Sequence, residues 1–222
     1  MAERGSLLPV ADGTVLREDA QMPFLRSRAL HVVSVAAILL SMLLVGPQTA
    51  MAGLCGEFRW PIKSLADADR RDIDFDARRT TLARLYHLDP PRRVREDAPR
   101  MAPHEFRTYS VIARLVKGEI EGDTDVKFVV SIPGHPERTM AVEFLGRPCM
   151  TSTFRRHRML AARRKALRMC GPLSEEFTEL RGRVRLTGVG FWGARRHEEI
   201  GGAPNHFELI PVLGIRGTCR QA

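Results

Sequence analysis

RVRLTGVGFWGARRHEEIGGAPNHFELIPVLGI, residues Arg183 to Ile215, is the stretch whose reading decides the fold. Val184, Leu186 and Val189 alternate with polar or small residues, and Phe207, Leu209, Val212 and Leu213 form a second apolar run interrupted by one proline. Both runs predict strands. Between and within them, Gly188, Gly190, Gly193, Gly201, Gly202, Pro204 and Asn205 mark a chain that turns sharply and lets backbones approach closely.

The same alternation recurs upstream. Tyr109, Val111, Ala113 and Leu115 trace one face of a strand that begins at Thr108. Glu119 to Asp125, EIEGDTD, reads as an acidic turn, and Val126 to Ile132 as the next strand. A turn at Pro133-Gly134 leads into a third strand, Arg138 to Leu145, with Met140, Val142 and Phe144 on one face. Ser152 is placed to cap a helix running to about Met169, which Cys170-Gly171-Pro172 stops. A second helical piece is expected over Ser174–Leu180. Three strands, a helix and two strands predict a mainly β fold with some α, an OB-like five-stranded Greek-key barrel over residues 108–217. An open α+β sheet is the other arrangement compatible with this order. Residues 218–222 read as a C-terminal tail.

Residues 53–107 read as an N-terminal extension. Thr80 and Thr81 precede a short helix, LARLYHL, and Pro90, Pro91, Pro99 and Pro103 mixed with arginines predict a solvated connector. Before it, Ala29 to Val45 is a nearly unbroken apolar run, preceded by Arg26 and Arg28 and followed by Ala50-Met51-Ala52. That pattern predicts a signal peptide cleaved near Ala52, with Met22 as an alternative start. The expected location is secreted or periplasmic; the alternative is a membrane anchor formed by residues 29–45.

After Ala52 the chain carries 31 Lys+Arg against 22 Asp+Glu, and only four of the basic residues are lysine. Arginine suits bidentate contact with phosphate or carboxylate, but GC-rich coding gives the same bias, so composition alone names no partner. All four cysteines lie in this part of the chain, which in an exported protein predicts two disulfides. Of the three connectivities, Cys149–Cys170 with Cys55–Cys219 is the expected one. CxxC spacing is missing, which disfavours zinc.

CGEFRWPIKSL, RRTTLARLYHLDPP, and GVGFW with GGAPNHFELIPVLGI together resemble a family of uncharacterised exported bacterial proteins. The resemblance covers most of residues 55–215 and implies export and an OB-like barrel; it brings no activity with it. Ile210 stands where that family has histidine, His206 where it has glycine, and residues 194–199 replace a phenylalanine-rich loop. A catalytic role for the family histidine would therefore be lost here.

Three constellations carry possible chemistry. His197, Glu198, His206 and Glu208 lie near the last two strands, and histidine with carboxylate suits a metal or a general base. Glu121, Asp123 and Asp125 surround Gly122-Asp123-Thr124, which resembles the acidic turn of thermonuclease-type nucleases, where carboxylates hold a divalent cation. The second half of that signature is missing, with Gly146-Arg147-Pro148-Cys149 in its place. Finally, Trp192, Arg195, Arg196 and His197 with Arg183 and Arg185 form a candidate binding rim; Tyr109, Phe128 and Phe191 would add stacking surfaces in a nucleic-acid reading. No nucleotide-binding glycine loop, GxSxG elbow or HExxH motif occurs. The expectation is a non-enzymatic module, without cofactor or metal, for an anionic polymer, either nucleic acid or a cell-envelope component, or for a protein partner. The alternative is a metal-dependent phosphodiesterase using Asp123 or the His197/Glu208 end.

Overall fold

Alternation over Tyr109–Leu115 belongs to a 14-residue strand around which the other elements are arranged. The computed structural model describes Cys55 and residues 58–150, 153–194 and 200–222. In chain order these form α1 (Trp60–Lys63), β1 (Asp74–Arg79), α2 (Leu82–Tyr86), β2 (Arg107–Ile120), β3 (Val126–Ile132), β4 (His135–Phe144), α3 (Arg156–Cys170), β5 (Thr178–Arg181), β6 (Arg183–Trp192), β7 (Phe207–Gly217) and β8 (Arg220–Gln221). The signal-peptide and anchor readings of residues 1–52 fall outside the described residues. Among the described residues no helix is long and apolar enough to cross a membrane.

The protein is mainly β, a mixed eight-stranded sheet with few helices. β2–β3, β3–β4, β2–β6 and β6–β7 pair antiparallel, while β4 meets β7 in parallel at Val142 and Leu209. Pairing therefore runs β2–β3–β4–β7–β6 and returns to β2. The length of β2 makes this possible: at about 3.3 Å per residue it spans roughly 46 Å. Its first half pairs with β1 and β6, and its second half with β3 and β5.

Inward faces match the sequence periodicity. Val111, Ala113, Phe128, Val130, Met140, Val142, Phe144, Leu186, Phe207 and Leu209 are fully buried in one cluster. Each such large side chain contributes about 1.5–3 kcal/mol by transfer from water. A second cluster lies on the other side of the strands, where Ile62, Leu65 and Ile73 of the extension meet Leu145, Met159, Val189, Phe191, Ile210 and Leu213. Ile210 is thus a core residue. The glycine of Gly190 is required by packing, because a Cβ there would stand 2.5 Å from the His104 carbonyl and 2.7 Å from Phe207.

Several expectations need correction. The disulfides are Cys55–Cys149 and Cys170–Cys219, not Cys149–Cys170 with Cys55–Cys219. The 15-residue helix α3 lies between Cys149 and Cys170 and rises about 22 Å. Bridging across it would require the chain to double back along its whole length to reach the 4.4–6.8 Å Cα separation of a disulfide. Helix α3 begins at Arg156, not at Ser152, which lies outside the described residues. Residues Thr178–Arg181 form a strand rather than a helix, because the second half of β2 offers them an open edge. The tail supplies β8, which pairs with β5.

The connector is solvated over residues 89–97 but not over residues 98–105. Arg59, in a left-handed conformation, places a fully buried guanidinium on Glu105, with two contacts of 2.6 Å, and also donates to the carbonyls of Ala98, Pro99 and Trp192. Glu105 also accepts from the backbone N–H groups of Met101 and Trp192. Arg100 clamps Asp67 with two further bonds. These bidentate pairs fasten residues 98–105 to both the extension and β6.

Candidate anion-binding face

Strand alternation that buries Val184 and Leu186 turns Arg183, Arg185 and Thr187 outward. Register then sets arginine against arginine. Arg114 of β2 stands directly opposite Arg183, and Arg185 stands directly opposite Arg216 of β7. All four are exposed, and among the described residues none makes an ion pair with a carboxylate. Like charges directly opposite across a sheet are destabilising.

Neighbouring elements extend this face. A hollow of about 570 Å³ between the edge of β1, the outward side of β6–β7 and α3 is lined by Arg79, Arg158, Lys165, Arg185 and Arg216. An adjoining hollow of about 450 Å³ shares Arg79, Ser110 and Arg185 with it and adds Arg183 and Arg138. A third, about 540 Å³, shares Arg183 and adds Arg114, Arg181 and Arg220. Among the described residues no Asp or Glu lines any of the three, nor does any Phe, Tyr or Trp. Seven or more guanidinium groups, of which Arg138 alone lies near a carboxylate, that of Glu137, can hold several phosphate, sulfate or carboxylate groups at once.

Acidic residues gather elsewhere, on the side of β3–β4 facing away from the inner cluster. Lys127 and Glu143 are directly opposed across β3–β4. Lys63, delivered by α1, contacts the Glu143 carboxylate and lies 3.5 Å from Asp125, while Lys127 lies 3.5 Å from Glu121. Asp125 accepts from the Gly146 N–H at 2.5 Å. Residue 146 must be glycine for this approach, since a Cβ would meet the Thr124 hydroxyl at 2.1 Å. Glu208 adds its charge to Lys63, and its carboxylate lies against Gly193.

Burial pushes Asp125 up to about 7, the Glu143 and Asp123 charges adding to this against the pull of Lys63. Burial also pushes Glu121 up to about 7, with Glu143 adding and Lys127 opposing. For Lys63, burial works against the ammonium, but Glu143, Asp125 and Glu208 outweigh it and hold the amine strongly basic. The cluster thus contains its own cation. Among the described residues, no three His, Cys, Asp or Glu side chains converge in a geometry able to hold a metal ion.

The residues expected to act together are divided by this structure. Arg183 and Arg185 lie on the basic face. Arg195, Arg196, His197, Glu198 and Glu199 fall outside the described residues. Trp192 is not a surface platform: it is 3 % exposed and packs edge-on against Phe207 and His104. Tyr109, Phe128 and Phe191 are likewise buried. His206 precedes β7 with φ of 57°, so the regular alternation needed to put it beside Glu208 is broken there. Arg79, Arg158, Lys165 and Arg216 escaped the sequence reading because three separate elements, β1, α3 and β7, supply them. Outward alternation in β6 continued across its neighbours was the available signal. No family model, curated protein or solved structure matches the chain.

Proposed function

We propose that the protein is an exported, non-enzymatic binding module that holds an anionic polymer or other acidic cell-envelope component on its arginine face. The carrying observation is the pair of directly opposed arginines, Arg114/Arg183 and Arg185/Arg216, at the centre of three contiguous carboxylate-free hollows. Such an arrangement costs stability in the free protein and is relieved when an anion lies between the charges. The two disulfides are compatible with an oxidising compartment.

The circuit of pairings through β2, β3, β4, β7 and β6, with α3 following β4, supports the reading of the sheet as an OB-like five-stranded Greek-key barrel. OB-like barrels commonly take ligands on the face of their second and third strands. Here that face is buried: Gly201 lies against Val129, and Lys63 lies over Glu143. The ligand surface is accordingly displaced to the β1–β2–β6–β7 side. Among the described residues no aromatic side chain lines the three hollows, which favours recognition of anionic groups over stacked bases.

Retention on heparin and long-chain polyphosphate, falling steeply with salt and unaccompanied by turnover, is the expected behaviour. A metal-dependent phosphodiesterase, the other reading of the Asp123 turn, would need a metal ion in a cluster that Lys63 already neutralises. Degradation of nucleic acid in the presence of magnesium or calcium, abolished by Asp123→Ala, would establish that reading and overturn the binding module.

A further inference from the structure

β1 pairs with β2 only as far as Ser110, and β3 takes over at Arg114. Ile112 between them is paired with Arg185 on one side and lies at a gap on the other. Above this gap the chain from Arg79 into α2 and the β3–β4 turn enclose the hollow of about 450 Å³. Its walls are mostly apolar, Leu82, Ala83, Ile112, Ile132 and Pro133, with Thr80, Thr81 and Ser110 beside them. Leu82 and Ile132 are buried, and Ile112 and Ala83 are half-buried. Its rim is cationic. Arg79, Arg183 and Arg185 stand on the side shared with the basic face, whereas His135 and Arg138 at the other end each lie 3.5 Å from Glu137.

Resting on the anion-binding reading above, we infer that this hollow receives the apolar body of a monomeric amphiphile whose anionic head is held by Arg79, Arg183 and Arg185. A simple polyanion satisfies the rim and leaves Ala83, Ile112 and Pro133 in contact with water. A neutral apolar molecule covers the walls and leaves the opposed arginines repelling one another. An alkyl or acyl chain carrying a phosphate, sulfate or carboxylate covers both, and the volume falls in the range of about 300–1,000 Å³ typical of small-molecule sites. Ile112 sets the depth of the site and Arg185 joins it to the larger basic groove.

The test is calorimetric titration of the mature protein with inorganic phosphate, a series of n-alkyl phosphates kept below their micelle concentrations, and long-chain polyphosphate. Affinity should rise roughly fourfold for each methylene that enters the hollow. Arg185→Gln should weaken every alkyl phosphate by about tenfold or more. Ile112→Asn should flatten the dependence on chain length while leaving polyphosphate binding intact. If Ile112→Asn does not fold, Ala83→Gln at the half-buried wall provides the same readout. Polyphosphate binding with no chain-length dependence would overturn this inference and spare the anion-binding reading. Failure to bind either would overturn both. Flotation with phosphatidylglycerol vesicles separates the sources of such an amphiphile: binding to vesicles without binding to monomeric alkyl phosphate would overturn a single-molecule site.

Discussion

Replacing Arg183 and Arg185 together by glutamine should make the protein more stable and a poorer anion binder. Each removes one charge from a directly opposed pair, Arg114/Arg183 and Arg185/Arg216. Two unit charges about 5.5 Å apart in water repel by roughly 0.8 kcal/mol before screening, and like cross-strand pairs generally cost about 0.2–1 kcal/mol. Salt at physiological strength reduces this further, so the double variant should gain about 0.5–1.5 kcal/mol at low ionic strength. In a domain of this size that raises the Tm by about 1–5 °C. Polyanion affinity should fall, and the slope of log affinity against log salt should become shallower by one to two, as two cation contacts are lost. Thermal unfolding at low and moderate salt, paired with titrations across a salt series, measures both sides. A variant that is less stable at low salt and binds as well as the parent would refute the reasoning, because the arginines would then be structural.

Other outcomes follow from the acidic cluster and the disulfides. Lys63→Met leaves Asp125 and Glu143 buried without their cation and should destabilise by about 3–5 kcal/mol near pH 8, less at pH 5 where Asp125 takes up a proton; guanidinium unfolding at the two pH values measures it. In the parent protein, Asp125 and Glu121 are pushed up to about 7, so the folded state holds more protons than the unfolded chain between about pH 4 and 7. Their contribution to stability is therefore complete below about pH 4 and is lost as pH rises to 7, and Asp125→Asn with Glu121→Gln should flatten that part of the stability profile. Peptide mapping without reduction should recover Cys170 joined to Cys219, and Cys170→Ala with Cys219→Ala should cost about 4 kcal/mol for the 49-residue separation.

Much of the sheet could be read from the sequence. Val126–Ile132 is bounded by an acidic turn and Pro133-Gly134, so its limits are written in the chain, and the alternation at Tyr109–Leu115 and Met140–Phe144 assigns the inner face directly. Thr178–Arg181 was misread because four residues are too few for a period, and what makes them a strand is the unfilled edge of β2. Disulfide connectivity depends on where the chain ends lie relative to α3, which local sequence does not encode. The prolines and arginines of the connector read as solvated, which holds for residues 89–97 but not for residues 98–105, because Arg59 and Arg100 bond partners 46 and 33 residues away in Glu105 and Asp67. The basic face was half legible: Arg183 and Arg185 follow from alternation in β6, whereas Arg79, Arg158 and Arg216 join them through register and helix packing. Lys63, in the WPIKSL opening, gave no hint that it would neutralise carboxylates beyond residue 120.

The most direct test of the account is a comparison at equal net charge. Arg79→Gln, Arg185→Gln and Arg216→Gln together remove three charges from the face; Arg84→Gln, Arg92→Gln and Arg93→Gln remove three exposed charges from the extension and connector. Polyphosphate affinity of the purified protein, measured by titration at fixed salt, should fall by about a hundredfold in the first variant at roughly 1 kcal/mol per contact, and by only a few-fold in the second. Equal losses in the two variants would mean that net charge alone attracts the polymer and would contradict a built binding face.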